Sequence, residues 1–458
     1  MNNWKEYKFS ELCNISRGAS PRPIHEYITD GEGMPWVKIA DATKSNSRFI
    51  EDTAERIKLS GVKKSVEVFE GDLILSNSAT PGLPKFMAIN ACIHDGWMLL
   101  RNFKNITKEF AYWLLLNERT NLVKQGTGTV FINLKTDILR NHIVKIPSIE
   151  EQNKIVSILN GIEDKIDLNT QINQTLEQIA QALFKSWFVD FDPVRAKAKA
   201  LSDGLSLEQA ELAAMQAISG KTPEELTALS QTQPDRYAEL AETAKAFPCE
   251  MVEVGGVEVP KGWEVKSLHE IIDFLEGPGI RNWQYTDEED GIKFINIRCI
   301  QNGDLTLTTA NKITKEEAFG KYKHFQLEED DIVVSTSGTL GRFAFVRKEH
   351  LPLSLNTSVI RFRPIKNKST LGFIAGFVEN QLQHELEIRA SGSAQRNFGP
   401  THLKQISLLV SDFKLLELHQ KYASSLFEKR KQLLSEIDVL KDTRDLLLPK
   451  LLNGEIQL

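Results

Sequence analysis

Apolar residues recur every seven positions in two long segments of the chain. In the first segment the heptad positions are Ile155, Ile162, Asn169, Leu176 and Leu183, with Asn173 in the interleaved row. In the second segment they are Leu426, Leu433, Leu440 and Leu447. A narrow stripe of this length is typical of a coiled coil, because such a helix must bury its stripe against a partner. We predict two spacer helices, at 151–192 and 413–458, that pair antiparallel, with the two asparagines near the middle fixing the register.

The residues before each helix show a different pattern. Short apolar runs at 35–39, 72–75, 293–297 and 331–334 are bounded by Gly, Pro, Asn and Asp, which indicates buried strands and tight loops. Residues 108–121 and 371–388 have helical periodicity. We therefore predict a mixed α/β (α+β) protein with sheet-containing globular segments at 1–150 and 261–412.

These two globular segments are copies of each other. The stretch from Glu70 to Gly82 matches that from Glu329 to Gly341 at six of thirteen positions, at an offset of 259 residues. The same offset carries Trp4 onto Trp263. This period is much longer than the roughly 20–50 residues of solenoid repeats, so it indicates a duplicated domain. We expect pseudo-two-fold symmetry and a target that is itself two-fold or bipartite.

Composition and charge place the chain among ordinary globular proteins. Its 458 residues are 41% hydrophobic and 26% charged, and the four cysteines are isolated, so we expect reduced thiols and a cytoplasmic location. The net charge of −6 arises mostly in residues 201–260, which carry 3 basic and 11 acidic side chains. We interpret 193–260 as an acidic linker or a small helical insert. The near-neutral repeats permit DNA binding but do not argue for it.

Motifs for catalysis or cofactor binding are missing from the sequence. Gly220-Lys221-Thr222 resembles the end of a phosphate-binding loop, but the required earlier glycine is Met215. The sequence has no HExxH, no Cys/His cluster with metal spacing and no GxSxG motif. We predict no catalytic, cofactor-binding or metal-binding residues in this chain, which is expected to be a recogniser and a scaffold.

The whole chain resembles the specificity (S) subunit of type I restriction–modification systems. The resemblance lies in the tandem repeat, the duplicated Gly71–Ser76 turn, the spacer helices, the run at 183–195 and the carboxy-terminal run at 446–455. It implies a non-catalytic subunit of a type I site-specific deoxyribonuclease and DNA adenine methyltransferase complex. Two target-recognition domains would each read half of a bipartite double-stranded DNA site. Two methyltransferase (M) subunits and restriction (R) subunits would join it, and S-adenosylmethionine, ATP and Mg would be used by those partners.

Candidate DNA-contacting residues lie in two Gly/Ser/Thr loops, at 126–129 and 391–397, and in loops that diverge between the two copies, where residues that read different half-sites are expected. Backbone N–H groups and hydroxyls suit phosphates, and arginine or amide side chains suit base edges. The candidates are Arg17, Arg22, Thr127, Thr129, Arg281, Trp283, Ser393, Gln395, Arg396 and Asn397. The alternative for these positions is a plain surface loop. The duplicated turn at 76–80 and 335–339 is interpreted as a shared structural turn.

Large apolar residues close both spacer helices. Trp187 and Phe188 end the first, and Leu451 and Leu452 end the second. We predict that they form a docking patch for a partner subunit, used twice; the alternative is packing against their own globular domain. A second function also stays open, a coiled-coil assembly scaffold whose domains bind proteins and not DNA. Strong salt dependence of duplex binding would favour DNA reading over this alternative.

Overall fold

The computed structural model describes residues 4–44, 47–126, 133–301, 303–338, 340–389 and 398–458. These residues form two compact units. Unit 1 contains Met1–Gln171 and Glu436–Leu458, and unit 2 contains Ile172–Ser435. Each unit therefore combines one copy of the duplicated segment with parts of both spacer helices.

Unit 1 begins with the first copy of the repeat. Its strands are β1 Lys5–Lys8, β2 Asn14–Arg17, β3 Ile28–Thr29, β4 Met34–Val37, β5 Phe49–Ile50, β6 Glu55–Ile57, β7 Val66–Val68, β8 Leu73–Ser76, β9 Pro84–Met87, β10 Ala91–Ile93, β11 Trp97–Arg101 and β12 Ile143–Ile146. Its helices before the spacer are α1 Phe9–Leu12, α2 Ile39–Thr43, α3 Leu59–Val62, α4 Lys108–Lys124 and α5 Thr136–Asn141, with a 3-10 turn at Ile24–Glu26. The sheets have the orders β1-β12, β3-β6-β4-β10-β7 and β2-β11-β8-β9-β5.

The first spacer helix, α6, runs from Ile149 to Phe188. Between it and the second copy lie helices α7 Asp192–Ser202, α8 Leu207–Ser219, α9 Pro223–Thr232 and α10 Pro234–Ala246, and the hairpin strands β13 Met251–Val254 and β14 Val257–Pro260. This acidic region has its own small core around Met215, Leu226 and Leu240. The Nζ of Lys197, which is buried, donates to the carbonyls of Ala244 and Phe247 at 3.0 and 2.7 Å. Of the two interpretations of this region, its packing corresponds to the helical insert.

The second copy occupies most of unit 2. Its strands are β15 Glu264–Ser267, β16 Ile272–Glu276, β17 Ile292–Ile295, β18 Ile300–Gln301, β19 Asp304–Leu305, β20 Lys312–Ile313, β21 Ile332–Ser335, β22 Phe343–Phe345, β23 Leu353–Leu355, β24 Val359–Pro364 and β25 Ser407–Val410. Its helices are α11 Leu268–Ile271, α12 Lys315–Phe319, α13 Leu371–Phe377, α14 Gln383–Arg389, α15 Pro400–Leu403 and the second spacer helix α16 Phe413–Leu452. A π-helical turn at Val378–Leu382 joins α13 to α14, and 3-10 turns lie at Asn282–Gln284, Ile297–Cys299, Lys323–Phe325 and Lys348–His350.

The two copies share their strand topology. The order β2-β11-β8-β9 in unit 1 corresponds to β16-β24-β21-β22 in unit 2. Strands β4 and β10 pair in parallel, as do their counterparts β17 and β23. The mixed α/β architecture and the duplication predicted from the sequence are thus confirmed. Two predicted strands end early. The run at 35–39 ends at Val37, because the Asp41 carboxylate accepts the Lys38 N–H at 2.8 Å and the helix α2 begins at Ile39. The run at 293–297 ends at Ile295, because the Asn296 amide oxygen accepts the Arg298 N–H at 2.9 Å and caps a 3-10 turn.

The spacer helices pair antiparallel in both units, as predicted. In unit 1, Lys165 pairs with Glu436 at 3.5 Å, and the buried Glu163 pairs with Arg444 at 2.9 Å. In unit 2, Arg430 lies 3.4 Å from Glu177, and the rings of Trp187 and His419 are 5.4 Å apart. Residue numbers rise along α6 as they fall along α16, so the helices run in opposite directions.

The predicted stripes of both helices are only partly buried. On α6, Ile155 and Asn169 are fully buried, and Ile162, Asn173, Leu176 and Leu183 are half-buried. On α16, Leu433 is buried, but Leu426, Leu440 and Leu447 are only half-buried. The buried row of α16 is Ala423, Phe427, Arg430, Leu433 and Ile437. Heptad leucines alone did not reveal this register, since one buried position is a charged arginine.

Arg430 is accommodated in this row by two carboxylates. Its guanidinium lies 3.0 Å from Glu379 in the π-helical turn and 3.4 Å from Glu177 on α6. Burial raises the pKa of Glu379 to about 7, although the neighbouring guanidinium acts in the opposite direction. A buried arginine is tolerated when its charge is compensated in this way.

The predicted docking patch at the helix ends is wrong, because all four side chains are buried inside the chain. Trp187 and Phe188 pack in the core of unit 2 against Phe373 and Ile271, and Leu451 and Leu452 pack in the core of unit 1. The alternative also needs correction. Each helix end completes the core of the other copy of the repeat, not that of its own copy.

His419 on α16 lies in an aromatic cage within unit 2. Its ring centroid is 5.0 Å from that of Phe188, 5.4 Å from Trp187 and 6.3 Å from Phe184. Within the described residues neither ring nitrogen has a hydrogen-bond partner. Burial lowers the pKa of His419 to about 3, because desolvation disfavours the protonated ring.

We predict that His419→Phe makes unfolding less sensitive to acid. The unfolded chain takes up a proton as the pH falls below the ordinary value of about 6.5, whereas the folded ring stays neutral down to about pH 3. The contribution of His419 to the free energy of unfolding is therefore fully retained above about pH 6.5 and falls below it, by roughly 1.4 kcal/mol at about pH 5.5. Urea unfolding of both proteins at about pH 7.5 and 5.5 measures this. An equal loss of stability in the variant would contradict the prediction.

Candidate nucleic-acid interface

The same set of loops meets at matching positions in both units. In unit 1 the loop after β2 is held by the Gly18 N–H, which donates to the Trp97 carbonyl at 2.8 Å. In unit 2 the loop after β16 is held by the Gly277 N–H, which donates to the Val359 carbonyl at 3.2 Å. We call these loops, together with the turn preceding β11 or β24 and the duplicated turn after β8 or β21, the loop cluster of each unit.

Gly18 and Gly277 are required by close backbone approach. A Cβ at Gly18 would lie 2.1 Å from the His94 carbonyl oxygen, and one at Gly277 would lie 2.2 Å from that of Asn356. These distances are far below contact, and the atoms involved are backbone. The two glycines are 259 residues apart, so the duplication has kept the same loop anchor in each copy.

The duplicated turn is structural, as interpreted from the sequence. Ser76 and Ser335 are fully buried, and their hydroxyls accept the N–H groups of Leu83 at 2.9 Å and Arg342 at 3.0 Å. The residue after each of these serines accepts a hydrogen bond from another part of the same copy. Leu134 donates its N–H to the Asn77 carbonyl at 2.8 Å, and Phe398 donates to the Thr336 carbonyl at 3.0 Å.

Leu134 and Phe398 follow the two Gly/Ser/Thr loops that the sequence singled out. The candidates in those loops lie outside the described residues: Thr127, Thr129, Ser393, Gln395, Arg396 and Asn397. The hydrogen bonds of Leu134 and Phe398 place these two residues themselves at the loop clusters.

In unit 1, two of the candidate arginines meet at Asp95. The Nε of Arg17 donates to the Asp95 carbonyl at 2.9 Å, and an Nη of Arg22 lies 3.8 Å from the Asp95 carboxylate. The Ser20 hydroxyl donates to the same carboxylate at 2.6 Å and is the main reason that the pKa of Asp95 is lowered. Arg22 remains 83% exposed at its side chain, so its guanidinium is available to a ligand.

Asp95 and Asn77 belong to this cluster but escaped the sequence analysis. The Asn77 amide donates to the Asp95 carbonyl at 3.0 Å. The two lie far along the chain from Ser20 and Arg22, and no local motif marks them. Only the pairing of β2 with β11 and of β11 with β8 brings the three loops together.

In unit 2 the loop cluster presents Arg281 and Trp283. Both are exposed, and Trp283 lies in the 3-10 turn Asn282–Gln284. The offset of 259 residues places Arg281 on Arg22 and Trp283 on Ile24, which lies in the 3-10 turn of unit 1. Each copy thus presents an arginine and an apolar side chain from the same loop, while the identities around them differ.

This arrangement is suited to recognition. A sheet that carries loops with exposed guanidinium and carboxylate groups can contact phosphates and base edges. The described residues contain no group of three or more His, Cys, Asp or Glu side chains placed to hold a metal ion. Within the same residues, no helix has the length and apolar character needed to cross a bilayer.

Two recognition domains with similar loops, built on a pair of antiparallel helices, define a modular DNA-specificity protein. The family model for the type I restriction modification DNA specificity domain matches residues 1–178 and 260–410. The chain is 39% identical, over its full length and that of the relative, to the type I restriction enzyme HindI specificity subunit of Haemophilus influenzae. The chain belongs to this family of type I restriction–modification specificity subunits.

More distant relatives match over nearly the whole chain. The type I restriction enzyme MjaIX specificity subunit of Methanocaldococcus jannaschii is 23% identical, over 99% of this chain and 94% of that protein. The crystal structure of a type I restriction–modification S subunit from M. genitalium has a TM-score of 0.53 at 16% identity. It covers 98% of this chain and 96% of that one, which shows a shared fold. As a specificity subunit, the chain is a non-catalytic, DNA-recognising part of a larger complex.

Proposed function

We propose that the chain reads a bipartite double-stranded DNA target, one half-site with each loop cluster. The observation that carries this proposal is that the two copies share a loop framework but place different side chains on it. Gly18 and Gly277 anchor equivalent loops, but Ile24 in one copy is replaced by Trp283 in the other. Divergent side chains on a common framework are expected if the two half-sites differ in sequence.

The spacer helices support a fixed distance between the half-sites. Each contains 40 residues, which corresponds to a length of about 60 Å. Half-sites one helical turn apart are separated by roughly 34–36 Å. A helix pair of this length is sufficient to serve as a ruler across such a target.

The partners follow from the family to which the chain belongs. We propose that two M subunits methylate adenine in the target and that R subunits join to cut unmethylated DNA. S-adenosylmethionine, ATP and Mg are then bound by those subunits. The alternative of a coiled-coil scaffold without DNA reading gains no support from a family defined by DNA specificity.

The exposed faces of the spacer helices are better candidates for M docking than the buried helix ends. Leu168 on α6 is 50% exposed, and Val439 and Leu446 on α16 are 64% and 60% exposed. All three lie in unit 1, and Ile179 on α6 is similarly exposed in unit 2. Apolar side chains repeatedly exposed on helices suggest an interface that a partner covers.

We predict that Arg22→Ala and Arg281→Ala each weaken duplex binding by the assembled complex, by about 1–3 kcal/mol if the guanidinium reads a base. Loss of discrimination at one position of one half-site would identify base reading. If the slope of log binding constant against log salt concentration falls by about one, while discrimination between bases is unchanged, the contact is with a phosphate. Binding measured against salt and against a panel of single-base variants separates the two.

The matched control for this pair is Arg236→Ala. Arg236 is exposed on α10 of the helical insert and belongs to neither loop cluster, and its removal changes the net charge equally. Equal losses of affinity in all three variants would contradict a specific role for the loops. Duplex binding by the complex without salt dependence would contradict DNA reading and favour the protein-binding scaffold.

We predict that Leu168→Asp combined with Val439→Asp reduces co-purification with the M subunit by at least about tenfold, because a charge in an apolar interface must be desolvated. Leu59→Asp is the control, since Leu59 is 73% exposed in the globular part of unit 1. Circular dichroism of each variant alone checks that the helices remain folded. Unchanged co-purification of the double variant would remove this face from the docking model.

A further inference from the structure

Trp283 differs from the other six tryptophans of the chain. It is 80% exposed, whereas Trp36, Trp97, Trp113 and Trp187 are buried and Trp4 and Trp263 are half-buried. An indole ring offers roughly 150–250 Å² of mostly apolar surface. Tryptophan is enriched at binding interfaces and dominates their energetics, so an indole left this exposed is a candidate ligand contact.

The turn that carries Trp283 is firmly held on both sides. Before it, the Ile280 side chain is buried and its N–H donates to the Asn356 amide oxygen at 3.0 Å. After it, the buried Gln284 amide donates to Glu317 at 2.9 Å and to the Tyr322 hydroxyl at 2.8 Å. The Gln284 oxygen accepts the Arg281 N–H at 3.1 Å. The ring therefore projects from an anchored turn, which lowers the entropic cost of using it to bind.

Charges around the turn limit what the ring can contact. Arg281 is the exposed cation of the turn, but Asp287, Glu288, Glu289 and Asp290 follow it and are also exposed. Among these carboxylates, Asp290 is paired with Lys315 at 2.9 Å. Attraction to the phosphate backbone is therefore weak on this side. A ring in this setting gains more from stacking on bases, which depends little on charge.

We propose that Trp283 stacks on, or inserts beside, a base step in the half-site read by unit 2. The inference rests on the proposed DNA-reading function and goes further, since it assigns unit 2 a contact that distorts its half-site. Apolar side chains that enter a base step partly unstack it and bend the duplex. The equivalent residue in unit 1 is Ile24, an aliphatic side chain that is only 37% exposed. The two half-sites would therefore be deformed unequally.

The test compares the assembled complex containing wild-type chain, Trp283→Ala or Trp283→Phe. Its probe is a duplex that carries the methylation motif of the complex, with 2-aminopurine placed in each half-site in turn, away from the methylated adenine. We expect Trp283→Ala to weaken binding roughly 10- to 100-fold with an unchanged salt slope, because the lost contact is uncharged. Trp283→Ala should also return the 2-aminopurine fluorescence in one half-site to that of free duplex. Trp283→Phe should retain most of the affinity.

The control is Val265→Ala, since Val265 is an exposed apolar residue on β15 of the same unit. Unaltered affinity and emission in Trp283→Ala, while the wild-type complex binds the motif, would overturn the stacking contact alone. Failure of the wild-type complex to prefer the motif would instead contradict the proposed function. Loss of complex assembly in Trp283→Ala, with DNA affinity unchanged for the assembled fraction, would assign the ring to a protein interface and overturn the inference.

Discussion

The antiparallel pairing of the two spacer helices is the constraint on which the rest of the structure depends. Because α6 and α16 run in opposite directions, the end of each helix reaches the core of the other copy of the repeat. Trp187 and Phe188 are buried against Phe373 in unit 2, and Leu451 and Leu452 are buried in unit 1. Neither globular copy completes its core with its own segment alone, so helix pairing and domain folding are coupled. Mutations at the helix ends should therefore act on stability before they act on any partner.

In each unit, a buried arginine of the globular segment also forms hydrogen bonds to a spacer helix. In unit 1 the Arg48 guanidinium donates to Asn160 on α6 at 2.8 Å, and the Trp113 indole donates to the same amide at 2.9 Å. In unit 2 the buried Arg347 pairs with Asp304 at 2.9 Å and donates to Ser435 on α16 at 3.1 Å. Hydrogen bonds to buried charges are costly to break, because the remaining charge is left unpaired. These contacts hold each globular segment against the stretch of spacer helix that lies in its own unit.

The sequence predicted the architecture better than the site. The offset of 259 residues and the heptad rows were sufficient for the duplication, the mixed α/β class and the antiparallel spacer. The heptad rows did not reveal Arg430, because a hydrophobic pattern does not predict a buried charge. The role of Trp187 was also wrong, because large apolar residues at a helix end look the same in sequence whether a partner or another domain covers them. Asp95 was missed since only strand pairing brings it beside Ser20. Arg22 and Arg281 stay candidates named from their divergent loops, and their equivalence becomes informative only with the shared loop anchors at Gly18 and Gly277.

In the proposed function, the two loop clusters read two half-sites at a separation set by the spacer. Co-expression of the chain with its M subunit, followed by genome-wide mapping of methylated adenines, tests it most directly. We expect a methylated motif of two different specific halves separated by a constant number of unspecified base pairs. Methylation at a single continuous motif, or at half-sites with variable spacing, would contradict it. A stable complex that adds no methylation would contradict the DNA-reading role and place the assembly scaffold first.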